Sequence, residues 1–193
     1  MGKKKVMEED HRERIPKEFY SFETGAPFTN CLECGKDLMD GQPYLIEKAF
    51  KNHIEYDVKD TVFDYALCMT CAEGLRNQMS KESQEALMKF FSEKMDFHQH
   101  LSRSGRPSKE NISTCMITGK PATKCPEFQI YAYCVYDRIS NDMPPYMISG
   151  EVMDQILPIL SKQTKDDLDG FFNKHFSPDP SLMEPIGPKF VLV

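Results

Sequence analysis

Residues 29–36 are TNCLECGK, and residues 65–73 are YALCMTCAE. Each stretch holds two cysteines in the pattern C-x-x-C. Thiolates at positions i and i+3 reach one ion when the backbone turns tightly between them, and Gly35 supplies the positive φ that such a turn often needs. A closed set of four sulfur ligands is typical of structural zinc. We therefore predict that one structural Zn²⁺ binds four residues: Cys31, Cys34, Cys68 and Cys71.

The residues around the two cysteine pairs predict a β-hairpin followed by a helix. Tyr44-Leu45-Ile46 and Val62-Phe63 have strand character, whereas Leu75 and Met79 continue one face at helical spacing after the second pair. This order of knuckle, hairpin and cysteine-bearing helix resembles a treble-clef zinc module over residues 28–80. The resemblance implies a scaffold and no single activity, since treble clefs occur in binding modules, ribosomal proteins and nucleases.

Part of the chain resembles another part of itself. Residues 80–91 (SKESQEALMKFF) match residues 161–172 (SKQTKDDLDGFF) at an offset of 81, and residues 31–36 match residues 115–120 (CMITGK) at an offset of 84. We interpret this as a tandem duplication, the alternative being chance similarity between core helices. In the second copy the ligand positions become Cys115, Thr118, Ser149 and Val152, so this copy is predicted to bind no metal.

The predicted fold class is α+β, with two tandem treble-clef-like lobes, the first zinc-bound and the second metal-free. The predicted division is a charged, partly disordered leader (1–22), a zinc-binding lobe (23–101), a linker (102–110), the degenerate second copy (111–176) and a Pro-rich tail (177–193). Phe190–Val193 are predicted to form a strand that pairs with a lobe. Ser80 and Ser161 are predicted helix N-caps, and Pro158 should kink or end a helix that starts near Gly150.

Other residues capable of metal binding or catalysis form no familiar pattern. Cys115, Cys125 and Cys134 could form a second metal site with His98 or His100, but their spacing favours buried free thiols. Asn52-His53 at the hairpin tip is similar to the hairpin of treble-clef nucleases, yet the helix lacks the further ligands that those enzymes need. We find no nucleophile triad, phosphate-binding loop or paired-carboxylate signature, and so predict no catalytic residues.

The composition indicates which partners and which cellular compartment to expect. The 193 residues carry a formal net charge of -6, which gives no general attraction to nucleic acid or to an anionic membrane. Seven cysteines and no apolar segment long enough for a signal or a membrane span predict a cytoplasmic protein. The favoured function is a non-enzymatic module that binds protein. The alternatives are a regulatory zinc protein associated with nucleic acid and a thiol-based redox sensor.

Overall fold

The computed structural model describes residues 12–176, apart from the side chains at positions 97 and 99. Its strands are β1 (Tyr44–His53), β2 (Val58–Cys68), β3 (Glu127–Val135), β4 (Arg138–Ile139) and β5 (Tyr146–Ser149). Its helices are α1 (Met69–Gln78), α2 (Lys81–Lys94), α3 (Phe97–Leu101), α4 (Ser108–Asn111), α5 (Gly150–Ile156) and α6 (Lys162–Phe176). The predicted strand at Phe190–Val193 lies outside the described residues.

β1 and β2 form the antiparallel hairpin predicted between the two cysteine pairs. Tyr44 lies opposite Cys68 at the open end, and the register shifts between Ala49 and Phe50. The first seven residues of β1 are all buried. Such continuous burial is typical of an interior strand covered on both faces, and it explains the apolar character of this stretch.

One antiparallel sheet joins the two halves of the chain. Its strand order is β2-β1-β3-β4, and β5 also pairs with β3. The junction is the pairing of β1 with β3, which runs from Tyr44 opposite Cys134 to Lys51 opposite Glu127. The fold is therefore α+β, in agreement with the predicted class.

Residues 29–38 and residues 113–122 make the same backbone hydrogen bonds, at the offset of 84 that the sequence suggested. In each segment the cysteine N–H donates to the lysine carbonyl and the glycine N–H donates to the cysteine carbonyl. The third bond closes the loop: the Leu38 N–H donates to the Thr29 carbonyl, and the Ala122 N–H donates to the Ser113 carbonyl. The three distances are 2.9, 2.8 and 2.8 Å in the first segment and 2.8, 2.8 and 2.8 Å in the second. Gly35 and Gly119 have φ values of 70° and 69°.

The pairing of β5 with β3 repeats the register of β2 with β1. Glu47 lies opposite Tyr65, and Tyr131 lies opposite Tyr146. Glu47 and Tyr131, which correspond at the offset of 84, also lie directly opposite each other across the junction. Antiparallel strands with corresponding residues opposed are related by a local two-fold axis, which here passes between Glu47 and Tyr131.

Four hydroxyl side chains at the starts of α2 and α6 bond to one another. The Ser80 and Ser161 Oγ atoms are 2.8 Å apart, and each accepts from the backbone N–H three residues later in its own helix. The Ser80 N–H donates to Thr164 Oγ1 over 2.9 Å, and the Ser161 N–H donates to Ser83 Oγ over 2.8 Å. Ser80 and Ser161 are thus the N-caps that the sequence predicted, and each cap also contacts the other helix.

Helix α6 packs its aromatic residues against the hairpin. Phe172 and Phe176 lie 5.0 and 5.8 Å from Phe63, measured between ring centroids, and Phe171 lies 5.6 Å from Tyr65. These edge-to-face and tilted contacts bury a second-half helix on a first-half strand.

Helix α5 begins at Gly150, near the predicted start, and ends at Ile156, followed by a 3₁₀ turn over Leu157–Ile159. Pro158 therefore ends this helix, as predicted.

Parts of the predicted leader and of the predicted linker belong to the folded structure. Ile15 and Phe19, from the segment predicted as a leader, are buried in the core. Within the predicted linker, residues from Ser108 belong to α4, and Ser108 itself is fully buried. The boundaries between the lobes stay a prediction.

Candidate metal centre

The first cysteine pair lies in the turn formed by residues 31–36. Positive φ at Gly35 lets its N–H reach the Cys31 carbonyl, which turns the backbone so that both thiols face one side. The Leu32 N–H donates to the carbonyl of Ala66 over 2.9 Å. This bond fixes the turn to the end of β2, next to the second pair.

The second pair lies where β2 ends and α1 begins. Cys68 is the N-cap of α1, with φ -60° and ψ 151°, and Cys71 lies in the first helical turn. The Cys68 N–H donates to the Cys31 sulfur over 3.4 Å, which joins the two pairs. A helix N-terminus generally favours thiolate, but burial raises the pKa of the Cys68 thiol at this position.

The structure brings all four predicted cysteines together. The four sulfur atoms all lie within 4.8 Å of one another, and the sulfurs of Cys34 and Cys68 are 3.8 Å apart. A tetrahedral zinc site with Zn–S bonds of about 2.3 Å needs sulfur separations of about 3.8 Å. The four cysteines are therefore close enough to bind a metal ion. Among residues 12–176 they form the one group of three or more potential His, Cys, Asp or Glu ligands.

The thiols differ in environment. Cys31 and Cys68 are buried, Cys71 is half-buried and Cys34 is exposed. The Lys36 backbone and then the Cys31 thiol hydrogen-bond to Cys34 and lower its pKa to about 7. Burial, followed by the Cys68 thiol, raises the pKa of Cys71 well above its usual value. A bound cation would deprotonate all four, because metal binding replaces the thiol protons.

Charged side chains surround the cysteine cluster. Lys36 pairs with Asp40 over 2.9 Å, and this partner raises the pKa of the Lys36 ammonium, with smaller contributions from Cys68 and Cys34. A Zn(Cys)₄ group carries two net negative charges, so a nearby cation is favourable.

Glu33, between the first two cysteines, bonds to the end of α6. Its carboxylate accepts from Lys174 and lies 2.6 Å from His175 Nε2. The Lys174 hydrogen bond is the main cause of the lowered pKa of Glu33. The first cysteine turn is thus fixed to β2 on one side and to α6 on the other. Sequence analysis missed this contact, and no sequence signal links positions more than a hundred residues apart.

Among the described residues, the corresponding positions of the second half provide one sulfur and form no group of potential metal ligands. Cys115 is buried, which raises the pKa of its thiol, but hydrogen bonds from Thr118 and from the Ser149 backbone outweigh this effect and lower the pKa. Ser149 is the N-cap of α5, as Cys68 is of α1. Val152, the third residue of α5 as Cys71 is the third of α1, is fully buried and offers no metal ligand.

The second metal site considered from sequence is not assembled in the described residues. Cys125 and Cys134 are buried free thiols, and Cys134 faces Tyr44 across the β1–β3 junction. His100 is buried against Tyr146, with 5.7 Å between the two ring centroids. Neither cysteine belongs to a group of potential ligands.

The hairpin-tip residues Asn52 and His53 have structural contacts. Asn52 Nδ2 donates to the carbonyls of Ala122 and Cys125, over 2.9 and 2.6 Å. His53 lies 2.8 Å from the Asp60 carboxylate. Within the described chain, His53 belongs to no group of three or more potential metal ligands, so the further ligands of a nuclease centre are not assembled around it.

Glu47 is a further buried ionisable residue that sequence analysis missed. Tyr65 donates to it over 2.5 Å and Tyr131 over 3.3 Å. Burial raises the pKa of Glu47 to about 8, although the two hydroxyls oppose the shift. A glutamate inside the apolar run of residues 44–50 was the signal that could have revealed it, because buried carboxyls need partners.

Comparisons with protein-family models, curated proteins and solved structures find no match for this chain. In the described part of the chain, no helix combines the length and the apolar composition needed to cross a bilayer.

Proposed function

We propose that this protein is a non-enzymatic protein-interaction module whose first half is stabilised by one structural zinc ion. The observation that carries the proposal is the closed four-sulfur cluster at the junction of β2 and α1. Catalytic zinc sites keep a position for water or substrate, whereas four cysteine sulfurs complete a tetrahedron. Cys31, Cys34, Cys68 and Cys71 would be the ligands, and the ion's contribution would be to folding.

The proposal includes a tandem pair of treble-clef-like lobes, of which the second has lost its metal. Three features support it: the matching backbone hydrogen bonds of the two cysteine turns, the repeated strand register, and the paired serine caps. Val152 and the buried Cys115 would supply packing where the first lobe has metal–sulfur bonds. Burial of an aliphatic side chain contributes roughly 1.5–3 kcal/mol.

The exposed apolar residues favour a protein partner. Ile54, Tyr56 and Val58, around the hairpin turn, are 54, 76 and 50% exposed. Neighbouring exposed apolar side chains often mark protein–protein contacts, and aromatic residues are enriched there. The net charge of -6 disfavours nucleic acid, the alternative partner. A reducing compartment such as the cytoplasm suits the seven cysteines.

A test of the partner class is affinity purification from the source cells. An Ile54→Asp/Tyr56→Asp variant should lose a protein partner that the wild type retains. Met88→Asp, at a residue 72% exposed on α2, is the matched control and should keep it. Recovery of nucleic acid that salt releases would favour the alternative. Equal recovery by all three proteins would contradict the proposed surface.

A thiol-based redox sensor is a second candidate, favoured by the exposure of Cys34. Hydrogen peroxide would accept two electrons from two of the thiolates, which would join as a disulfide, while its O–O bond breaks and two protons from solvent complete two water molecules. The loss of two ligands would release the metal. Reversible loss of metal with hydrogen peroxide, and its recovery with a thiol reductant, would support this function.

A further inference from the structure

The outer edge of β2 is open along residues 60–64. β2 is the last strand of the sheet on its side. Among the described residues, two backbone groups of this strand bond outside the sheet: the Ala66 carbonyl accepts from the Leu32 N–H, and the Cys68 N–H donates to the Cys31 sulfur. Unpaired strand edges readily accept another strand, and proteins normally cover or block them.

A groove of about 510 Å³ runs beside this edge. We call it the β2-edge groove; one wall is residues 61–66 and the other is the loop of residues 21–32. Its apolar lining residues include Phe22, Phe28, Leu32, Val62, Phe63 and Phe176. Phe22 is 71% exposed and Val62 is 37% exposed, so among the described residues the groove presents apolar side chains beside an edge strand.

The chain leaves the described region at this groove. Helix α6 ends at Phe176, which lines the groove and lies 5.8 Å from Phe63 and 5.7 Å from Tyr65. Residues 177–193 follow, and the sequence of residues 189–193 is KFVLV. β-branched and aromatic residues favour strands, and Lys189 complements the exposed Glu23 on the groove wall.

We propose that residues 189–193 of this chain occupy the β2-edge groove as an additional strand. Because side chains alternate along a strand, Phe190 and Leu192 share one face and would contact the apolar lining. Residues 177–188 could extend over roughly 40 Å, which lets the chain turn after Phe176 and return along β2. The segment covers the open edge and the apolar lining together.

Hydrogen exchange of the full chain tests this directly. In a Phe190→Asp/Leu192→Asp variant, the amides of residues 60–64 should exchange at least about ten-fold faster than in the wild type. Val62→Asp, which places a charge on the groove wall, should increase these exchange rates by the same factor. Ile186→Asp, outside the docking residues, is the matched control and should leave these rates unchanged. Equal rates in the wild type and the tail variant would overturn the proposal.

Photo-crosslinking distinguishes the chain's own segment from other occupants, and it needs no destabilising charge. Phe190 is replaced by p-benzoylphenylalanine in the full chain. Crosslinks from this position to residues 22–28 or 61–66 within a monomer are the expected result. Crosslinks formed only between two chains would assign the groove to a second copy, and crosslinks confined to other surfaces would exclude it. Either result would overturn the proposal.

Discussion

The Glu33 carboxylate lies 2.6 Å from Nε2 of His175 and so connects the first cysteine turn to the end of α6. Glu33 lies between two of the four clustered cysteines, and His175 belongs to the second half of the chain. His175 is largely buried at this contact, with its side chain 11% exposed. A structural ion at the four cysteines would thereby also stabilise the docking of α6.

We expect Glu33→Gln to weaken the attachment of α6 without removing the metal. Loss of the carboxylate charge should lower the free energy of unfolding by about 1–2 kcal/mol, as for a partly buried charge-assisted hydrogen bond. Urea denaturation measures the change, and elemental analysis checks the metal. Glu151→Gln, which breaks the exposed pair with Lys120, is the control and should cost less than about 0.5 kcal/mol. Equal losses in both variants would argue against this contact.

Stability should depend on pH through Glu47. Its pKa is about 8 in the folded protein against an ordinary value of 4.5, so the folded state holds a proton that the unfolded state releases. Glu47 therefore stabilises the fold fully below about pH 4.5, and this contribution is lost as pH rises toward 8, by about 1.4 kcal/mol per pH unit between these limits.

The Glu47→Gln variant keeps a neutral hydrogen-bonding side chain and removes this titration. Denaturation of both proteins between pH 5 and 9 should give a difference in unfolding free energy that changes with pH in favour of the variant. A difference that is constant over this range would show that Glu47 does not titrate as described.

Three substitutions should restore a metal site in the second half. Because Cys68 and Ser149 have similar backbone angles, with ψ of 151° and 152°, Thr118→Cys/Ser149→Cys/Val152→Cys would place three thiols around Cys115. We expect one additional zinc per chain by elemental analysis. Adding Cys115→Ser to this variant is the control and should weaken binding of the additional ion. A folded triple variant without additional zinc would contradict the proposed lobe correspondence.

The serine caps should be energetically coupled. Ser80→Ala removes the N-cap of α2 and its contact with Ser161, and Ser161→Ala removes the N-cap of α6 and the same contact. Each substitution should therefore lower the free energy of unfolding by about 1–2 kcal/mol. Because they share one hydrogen bond, the double variant should cost less than the sum, by at least about 0.5 kcal/mol. Urea denaturation of the four proteins measures this, and strict additivity would mean that the two caps act independently.

Local patterns predicted much of the fold and of the candidate site. The hairpin followed from strand-like residues between the cysteine pairs, and both serine caps followed from their position before helical stretches. The four-cysteine cluster followed from spacing alone. In each case the determining residues lie close together in sequence or carry chemistry that few other arrangements use.

Contacts between the halves could not be predicted in this way. The pairing of β1 with β3 depends on which edges remain open after each hairpin forms, and strand propensity does not specify a partner. The contact between Glu33 and His175 depends on how α6 packs across the sheet. Glu47 was overlooked because its partners, Tyr65 and Tyr131, come from two other strands.

The most direct test of the zinc site is elemental analysis of the purified protein, repeated on a Cys34→Ser/Cys71→Ser variant. We predict about one zinc per chain in the wild type. The variant should contain none, and hydrogen exchange should be faster in its residues 29–78 and in α6. Wild-type protein without zinc, or a variant that retains zinc, would contradict the assignment of these four cysteines as the ligands of a structural ion.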